Sequence, residues 1–239
     1  MDVITQTAGW LSDPGHWQGV DGIPIRVLEH LELSFAAVLV AVLIGLPLGL
    51  FVGHTGRGDR IVVTISNLGR AIPSLAIIIA CVPLGLGFRA TLVALVLLAI
   101  PPIVTNAYTG VREVDRDLVE AARAMGMGGR DVLWRAEVPA ALPVILAGIR
   151  TSAVQVVATA TLGAIVAGGG LGRYIVDGFA LRDIPRIVAG AVLVAGLAIA
   201  TELAFAALER VVVSPGLRLE RSAIQAGRSS VRSEAARPA

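Results

Sequence analysis

The chain has 239 residues, 55% of them hydrophobic and 16% charged, with a mean hydropathy of +0.79 and a net charge of +2. Apolar runs of about twenty residues in such a composition mark membrane spans rather than a soluble core. All 20 basic residues are arginine, so a Walker phosphate loop, which needs a lysine, is excluded. The arginines are spread through loops, and aromatics make up only 4% of the chain, which argues against nucleic-acid binding. Cys81 is the single cysteine, so no internal disulfide can form, and its apolar surroundings mark it as a core filler.

Residues 1–32 read as an extracytoplasmic N-terminal segment, irregular around Trp10, Pro14 and Trp17. Within it, Ile25, Leu28 and Leu31 alternate with Glu29 and Glu32 as a short interfacial helix. The first residues lack a basic start and an apolar core, so no cleavable leader is expected. The transmembrane part is expected over 33–213, and its first span over Leu33–Val52. A basic loop from His54 to Arg60 precedes a second span, Ile61–Leu84, which carries Asn67, Arg70 and Pro73. Arg70 has a stem long enough to snorkel to the interface. The third span, Ala90–Val111, is expected to turn irregular where Pro101, Pro102, Asn106 and Tyr108 fall.

A polar island follows, within a loop spanning 112–139. Asp117 is placed to cap a short helix, with Glu120 three residues on in capping-box spacing, at the end of the dipole that favours an acid. Ala121, Ala122 and Ala124 keep that helix slim, and Gly126 suits the left-handed turn that ends it. A second short helix can begin at Asp131, and Pro139 fits the first turn of the next long helix.

The fourth apolar run, 140–167, is too long for one upright span and ends in a glycine cluster at 168–172, read as a hinge or close-packed turn. A polar loop is expected over 173–183, then a fifth span, Ile184–Leu208, in which Glu202 should face protein or water. The remainder, 214–239, reads as a disordered cytoplasmic tail. With five spans, the His54–Arg60 loop, the island and the tail share one side and carry most of the arginines. That side is therefore cytoplasmic and the N-terminus lies outside.

The island resembles the coupling motif of ABC importer permeases: Glu-Ala-Ala, three residues, Gly, nine residues, then Ile-x-Leu-Pro. Glu120, Ala121, Ala122, Gly126 and Pro139 match at that spacing, while Ala136 and Val138 replace the Ile and Leu. The stretches IPSLAIII (72–79), TNAYTGVREVDRDLVEAARAMGM (105–127), LPVILAGIRT (142–151) and ATLGAIVAGGGLGRYI (160–175) are similar to permeases of quaternary-amine osmoprotectant importers, which carry glycine betaine, choline or carnitine.

The resemblance implies an all-α membrane protein of the type I importer fold with about five transmembrane helices, lodged in a bacterial inner membrane. It implies a second permease subunit, a cytoplasmic ABC ATPase dimer that binds the ATP and Mg, and a separate extracytoplasmic substrate-binding protein. Glu120, Ala121, Ala122, Gly126 and Pro139 would then form the ATPase-coupling site. Asn106, Tyr108, Gln155, Thr159 and Thr161 are polar positions within spans that either line a path or join helices. A related permease for amino acids such as methionine is the neighbouring alternative. No cofactor, metal or catalytic group is expected in this chain: His16, His30 and His54 are scattered, and no HExxH pair or GxSxG elbow occurs.

Overall fold

The computed structural model describes residues 2–58, 60, 62, 64, 65, 76, 79, 87–166 and 169–213. Most of the expected second span, with Asn67, Arg70, Pro73 and Cys81, lies outside the described residues, as do Gly168 and 214–239. Among the described residues there is no strand, and four helices are long and apolar enough to cross a membrane.

The N-terminal segment is ordered where irregularity was expected. Helix α1 covers Val3–Ser12 and a tight turn follows over Pro14–Trp17. Trp10 stacks on His16 with ring centroids 3.9 Å apart, and Trp17 Nε1–H donates to the Leu11 carbonyl at 2.8 Å, so the aromatics close the segment on itself. Trp10 also meets Tyr174 edge-on at 5.2 Å, and the Tyr174 hydroxyl donates to the Asp21 carbonyl at 2.7 Å. Burial raises the pKa of that hydroxyl, which keeps it a donor.

Helix α2 spans Ile23–Thr55, so the expected interfacial helix and first span are one element. Pro24 in its first turn starts it, nothing between breaks it, and Gly56 at φ +64° ends it. Its 33 residues run about 50 Å at 1.5 Å each, against a hydrocarbon layer of about 30 Å. Helix α3, Gly87–Arg112, continues straight through Pro101 and Pro102 rather than becoming irregular. The two prolines withdraw donors from the Leu97 and Leu98 carbonyls, but packing of α3 on both sides holds the helix together.

The long fourth run divides by geometry rather than by tilt alone. Helix α6, Val138–Thr159, gives way to a tight 3-10 segment at Ala160–Val166, which ends the α-helical part of the run. The expected loop at 173–183 is mostly helix α7, Gly172–Leu181, braced by an Arg173–Asp177 ion pair of 2.8 Å one turn apart and ended by Arg182 at φ 57°. Helix α8, Ile184–Val212, starts where the Asp183 carboxylate accepts from the Arg186 N–H at 3.2 Å.

Leu33, Ala37 and Ala41 of α2, Leu95, Ala99 and Ile103 of α3, and Val156 of α6 form one buried cluster. Small residues let these helices approach closely. A methyl on Gly49 would sit 2.7 Å from the Val104 carbonyl oxygen, and one on Gly148 would sit 2.5 Å from Asn106 Cβ. Ser152 Oγ–H, fully buried, donates to the Ala99 carbonyl at 2.8 Å and ties α6 to α3. Large apolar side chains point outward instead, among them Phe35, Leu43 and Phe51 of α2 and Ile199 and Leu203 of α8. In a chain of this hydropathy those faces meet lipid or another subunit rather than water.

Glu202 has a partner. The Arg150 Nε of α6 lies 3.4 Å from Glu202, and its NH1 lies 3.6 Å from Glu209, both on α8. Gly169, Gly170 and Gly172 are close-packed, and the Gly170 N–H donates to Glu29 at 2.7 Å; His30 Nε2–H donates to the Val157 carbonyl of α6 at 2.8 Å. Arg26 pairs with Glu29 at 2.8 Å and with Asp21.

Candidate functional site

The polar island folds as helix α4, Arg116–Ala124, followed by a one-turn helix α5, Gly129–Val132. Asp115, not Asp117, is the N-cap: its backbone is non-helical and its carboxylate accepts from the Asp117 N–H at 2.9 Å. Asp117 is already inside the first turn, where its charge suits the dipole. Glu120 therefore sits mid-helix and exposed, neither at the dipole end nor in a capping box.

The exit from α4 is as the glycine implied. Gly126 has φ +86°, its N–H donates to the Arg123 carbonyl at 2.9 Å, and the Met127 N–H donates to the Ala122 carbonyl at 3.2 Å. That pair of bonds is the Schellman arrangement, and Met127 packs against Ala122 as its apolar partner. A side chain at 126 would touch nothing within 4 Å, so the glycine answers a backbone demand and not a crowded one.

The island has a core of its own. Ala122, Val132 and Ala136 are buried together, with Val119 and Met127 against them. Ala122 therefore faces inward, while Ala121 and Glu120 remain on the open face beside Leu118 and Met125, which is 72% exposed. Trp134 is also open, at 55%. Such an apolar, capped face at the end of two spans is unusual for a simple connecting loop.

Pro139 falls in the first turn of α6, as its position in the sequence implied, but no break precedes that helix. The backbone is helical without interruption from Gly129 to Thr159, and Pro139 follows a widened π segment at Leu133–Glu137. A proline ring clashes with the carbonyl four residues before it, and the widened turn accommodates that clash. The same segment holds Glu137, only 5% exposed, whose carboxylate accepts from His54 Nδ1–H at 2.5 Å. His54 lies in the last turn of α2, and a methyl on Gly129 would come within 3.5 Å of its Nε2. Neither residue was singled out from the sequence. A lone histidine beside a glycine and an acid amid apolar residues were visible there, but their contact across 83 residues was not.

The polar span residues do not share one surface. On α3, Asn106 donates through Nδ2 to the Pro102 carbonyl at 2.8 Å and packs toward Gly148 of α6. Tyr108 lies two residues on, and packs toward Val52 of α2. Gln155 is exposed on α6, Thr159 is half-buried, and Thr161 Oγ1–H donates to the Ala158 carbonyl at 2.9 Å. Among the described residues, no three His, Cys, Asp or Glu side chains are grouped as a metal site would need.

Residues 45–214 match the family described as binding-protein-dependent transport system inner membrane component. The chain is 38% identical to the glycine betaine/carnitine/choline transport system permease protein OpuCB of Bacillus subtilis, covering 80% of this chain and 88% of that protein. It is also 38% identical to the choline transport system permease protein OpuBB of the same organism, covering 81% and 89%. Among solved structures, an inward-facing form of the MetNI methionine ABC transporter contains a chain that superposes with a TM-score of 0.71. It is 25% identical, covering 85% of this chain and 100% of that one.

Proposed function

The chain belongs to the binding-protein-dependent transport system inner membrane component family, and on that premise we propose that it is the permease subunit of an ATP-driven importer for quaternary-amine osmoprotectants. The names of its relatives favour glycine betaine, choline or carnitine as the solute. Methionine is favoured only by the likeness of fold.

In this reading ATP and Mg bind to a separate ATPase pair, a second permease copy or homologue completes the path, and a separate binding protein delivers solute from outside. The N-terminus lies outside and the island inside, as the arginine distribution favours. Closure of the ATPase pair moves α4, whose open face presents Glu120, Ala121 and Met125. The continuous helix from Gly129 to Thr159 carries that motion into the membrane, and the two permeases rock between inward- and outward-facing forms. Gln155, Thr159 and Thr161 are then candidates for the path. Asn106 is a weaker candidate, since its amide is spent on its own helix and it packs toward Gly148 of α6. No residue of this chain performs a covalent step.

The observation that carries the reading is the island itself: a helix with both ends capped, its own small core and an exposed apolar face, at the mouth of α3 and α6. The test is reconstitution of the chain with its ATPase and binding protein in liposomes, measuring uptake of labelled glycine betaine, choline, carnitine and methionine. ATP-dependent uptake of a quaternary amine in excess of methionine supports the reading; methionine uptake alone overturns the solute class.

A further inference from the structure

We infer that His54 and Glu137 form the joint that fixes the island to α2, so that movement of α4 is delivered to that span as well as to α3 and α6. The inference rests on the permease reading above and names positioning residues for it.

Glu137 is buried, and a buried carboxylate without a hydrogen-bonding partner is costly. His54 supplies that partner at 2.5 Å from the end of another helix. The bond is charge-assisted and directional, so it holds a register that apolar side chains alone would let slide. The widened segment Leu133–Glu137 matters here, because an extra residue in a turn re-aims the side chains that follow. Glu137, the last residue of that segment and two residues before Pro139, is thereby placed toward α2. A methyl on Gly129, the first residue of α5, would come into ordinary van der Waals contact with the same imidazole, 3.5 Å from Nε2. One side chain of α2 thus bonds the end of the helical stretch 129–137 and lies near its beginning, the part of the island that runs on into α6. A loop that merely connected two spans would have no need of a buried hydrogen bond to a third.

Two alternatives are distinguishable. A structural prop would lower assembly, hydrolysis and uptake together. A transmitting joint would leave hydrolysis in place and lower the solute moved per ATP. The experiment uses the full complex in proteoliposomes, with H54A, E137Q and H54Q measured for assembly, ATP hydrolysis and uptake. H54A and E137Q should assemble and hydrolyse ATP, with uptake per ATP reduced by about 5-fold or more, the lower end of the usual range for coupling between sites. H54Q keeps an N–H donor of similar reach and should recover most of that ratio. An unchanged ratio in H54A and E137Q overturns the inference, as does a proportional fall in hydrolysis and uptake. Should H54A fail to assemble, E137Q and H54Q decide: uncoupling in the first with recovery in the second supports the joint, and equal ratios refute it. A wild-type complex that hydrolyses ATP but moves no solute would instead refute the permease reading on which the joint depends.

Discussion

Replacement of Gly126 by valine isolates one physical term. The residue sits at φ +86° and a side chain there would meet nothing within 4 Å, so no clash contributes. What remains is the backbone cost of a left-handed residue carrying a Cβ, about 1–2 kcal/mol for an ordinary L-residue. Branching at Cβ places valine at or above the upper end of that range. A shift of about 2 kcal/mol corresponds to roughly 30-fold in the population of the native turn. The buried cluster of α2, α3 and α6 does not include this turn, so global stability should change little while the exit of α4 loosens. The assay is uptake per ATP in proteoliposomes beside thermal unfolding in detergent, for G126N, G126A and G126V. Asparagine tolerates the left-handed region and should stay near wild type, alanine should be intermediate, and valine should lose most uptake while hydrolysis persists. A G126N variant as impaired as G126V would refute the backbone argument. Full uptake in G126V would refute the role of the turn.

Gly148→Ala brings a methyl to 2.5 Å from Asn106 Cβ and 2.9 Å from the Pro102 carbonyl oxygen, so it should destabilise the protein by about 1–3 kcal/mol. Gly196→Ala, with nothing within 4 Å, should be neutral or stabilise α8 by up to about 1 kcal/mol, and melting in detergent compares the two. Arg150→Met leaves Glu202 and Glu209 without their cation, whereas the triple change with E202Q and E209Q removes all three charges. The triple variant should melt higher than R150M, with an interaction energy on the order of 0.5–2 kcal/mol; equal melting would show the ion pairs to be inert. In a background lacking Cys81, a cysteine at Met125 should resist an impermeant thiol reagent added outside intact cells, and one at Trp17 should react. The reverse pattern would invert the topology.

Where a single residue dictates a local conformation, the sequence was readable. Gly126 announced its turn, because it acts on its own backbone. The family motif placed α4 for the same reason. Long-range terms were not readable. Pro101 and Pro102 suggested irregularity that packing between α2 and α6 prevents, and the π segment that runs on into α6 ahead of Pro139 left no mark in the sequence. The 173–183 stretch looked like a loop because its charges are many, yet Arg173 and Asp177 stand one turn apart and support a helix. Asp117 fits the capping-box spacing to Glu120, yet the helix starts two residues earlier on Asp115, which only the backbone reveals. His54–Glu137 and Arg150–Glu202 pair residues far apart in the chain, which a single sequence cannot reveal.

The two pairings lost to the sequence on α2 have a joint consequence. His54 binds Glu137 just ahead of α6, and His30 binds the Val157 carbonyl near the other end of that helix. The 24 residues from His30 to His54 rise about 36 Å and the 20 from Glu137 to Val157 about 30 Å, so the pinned lengths agree to about one helical turn. Between the pins, Ser152 holds α6 to Ala99 of α3, and Gly49 seats α2 against Val104 of the same helix. A pair of rods fixed at both ends and filled by a third cannot slide past one another without breaking a buried polar bond, each costly to leave unmade. Small shears along α6 are thus resisted, and the low-energy displacement left to α2, α3 and α6 is rotation as one body. That is the kind of motion a short, capped lever at their common end is suited to drive.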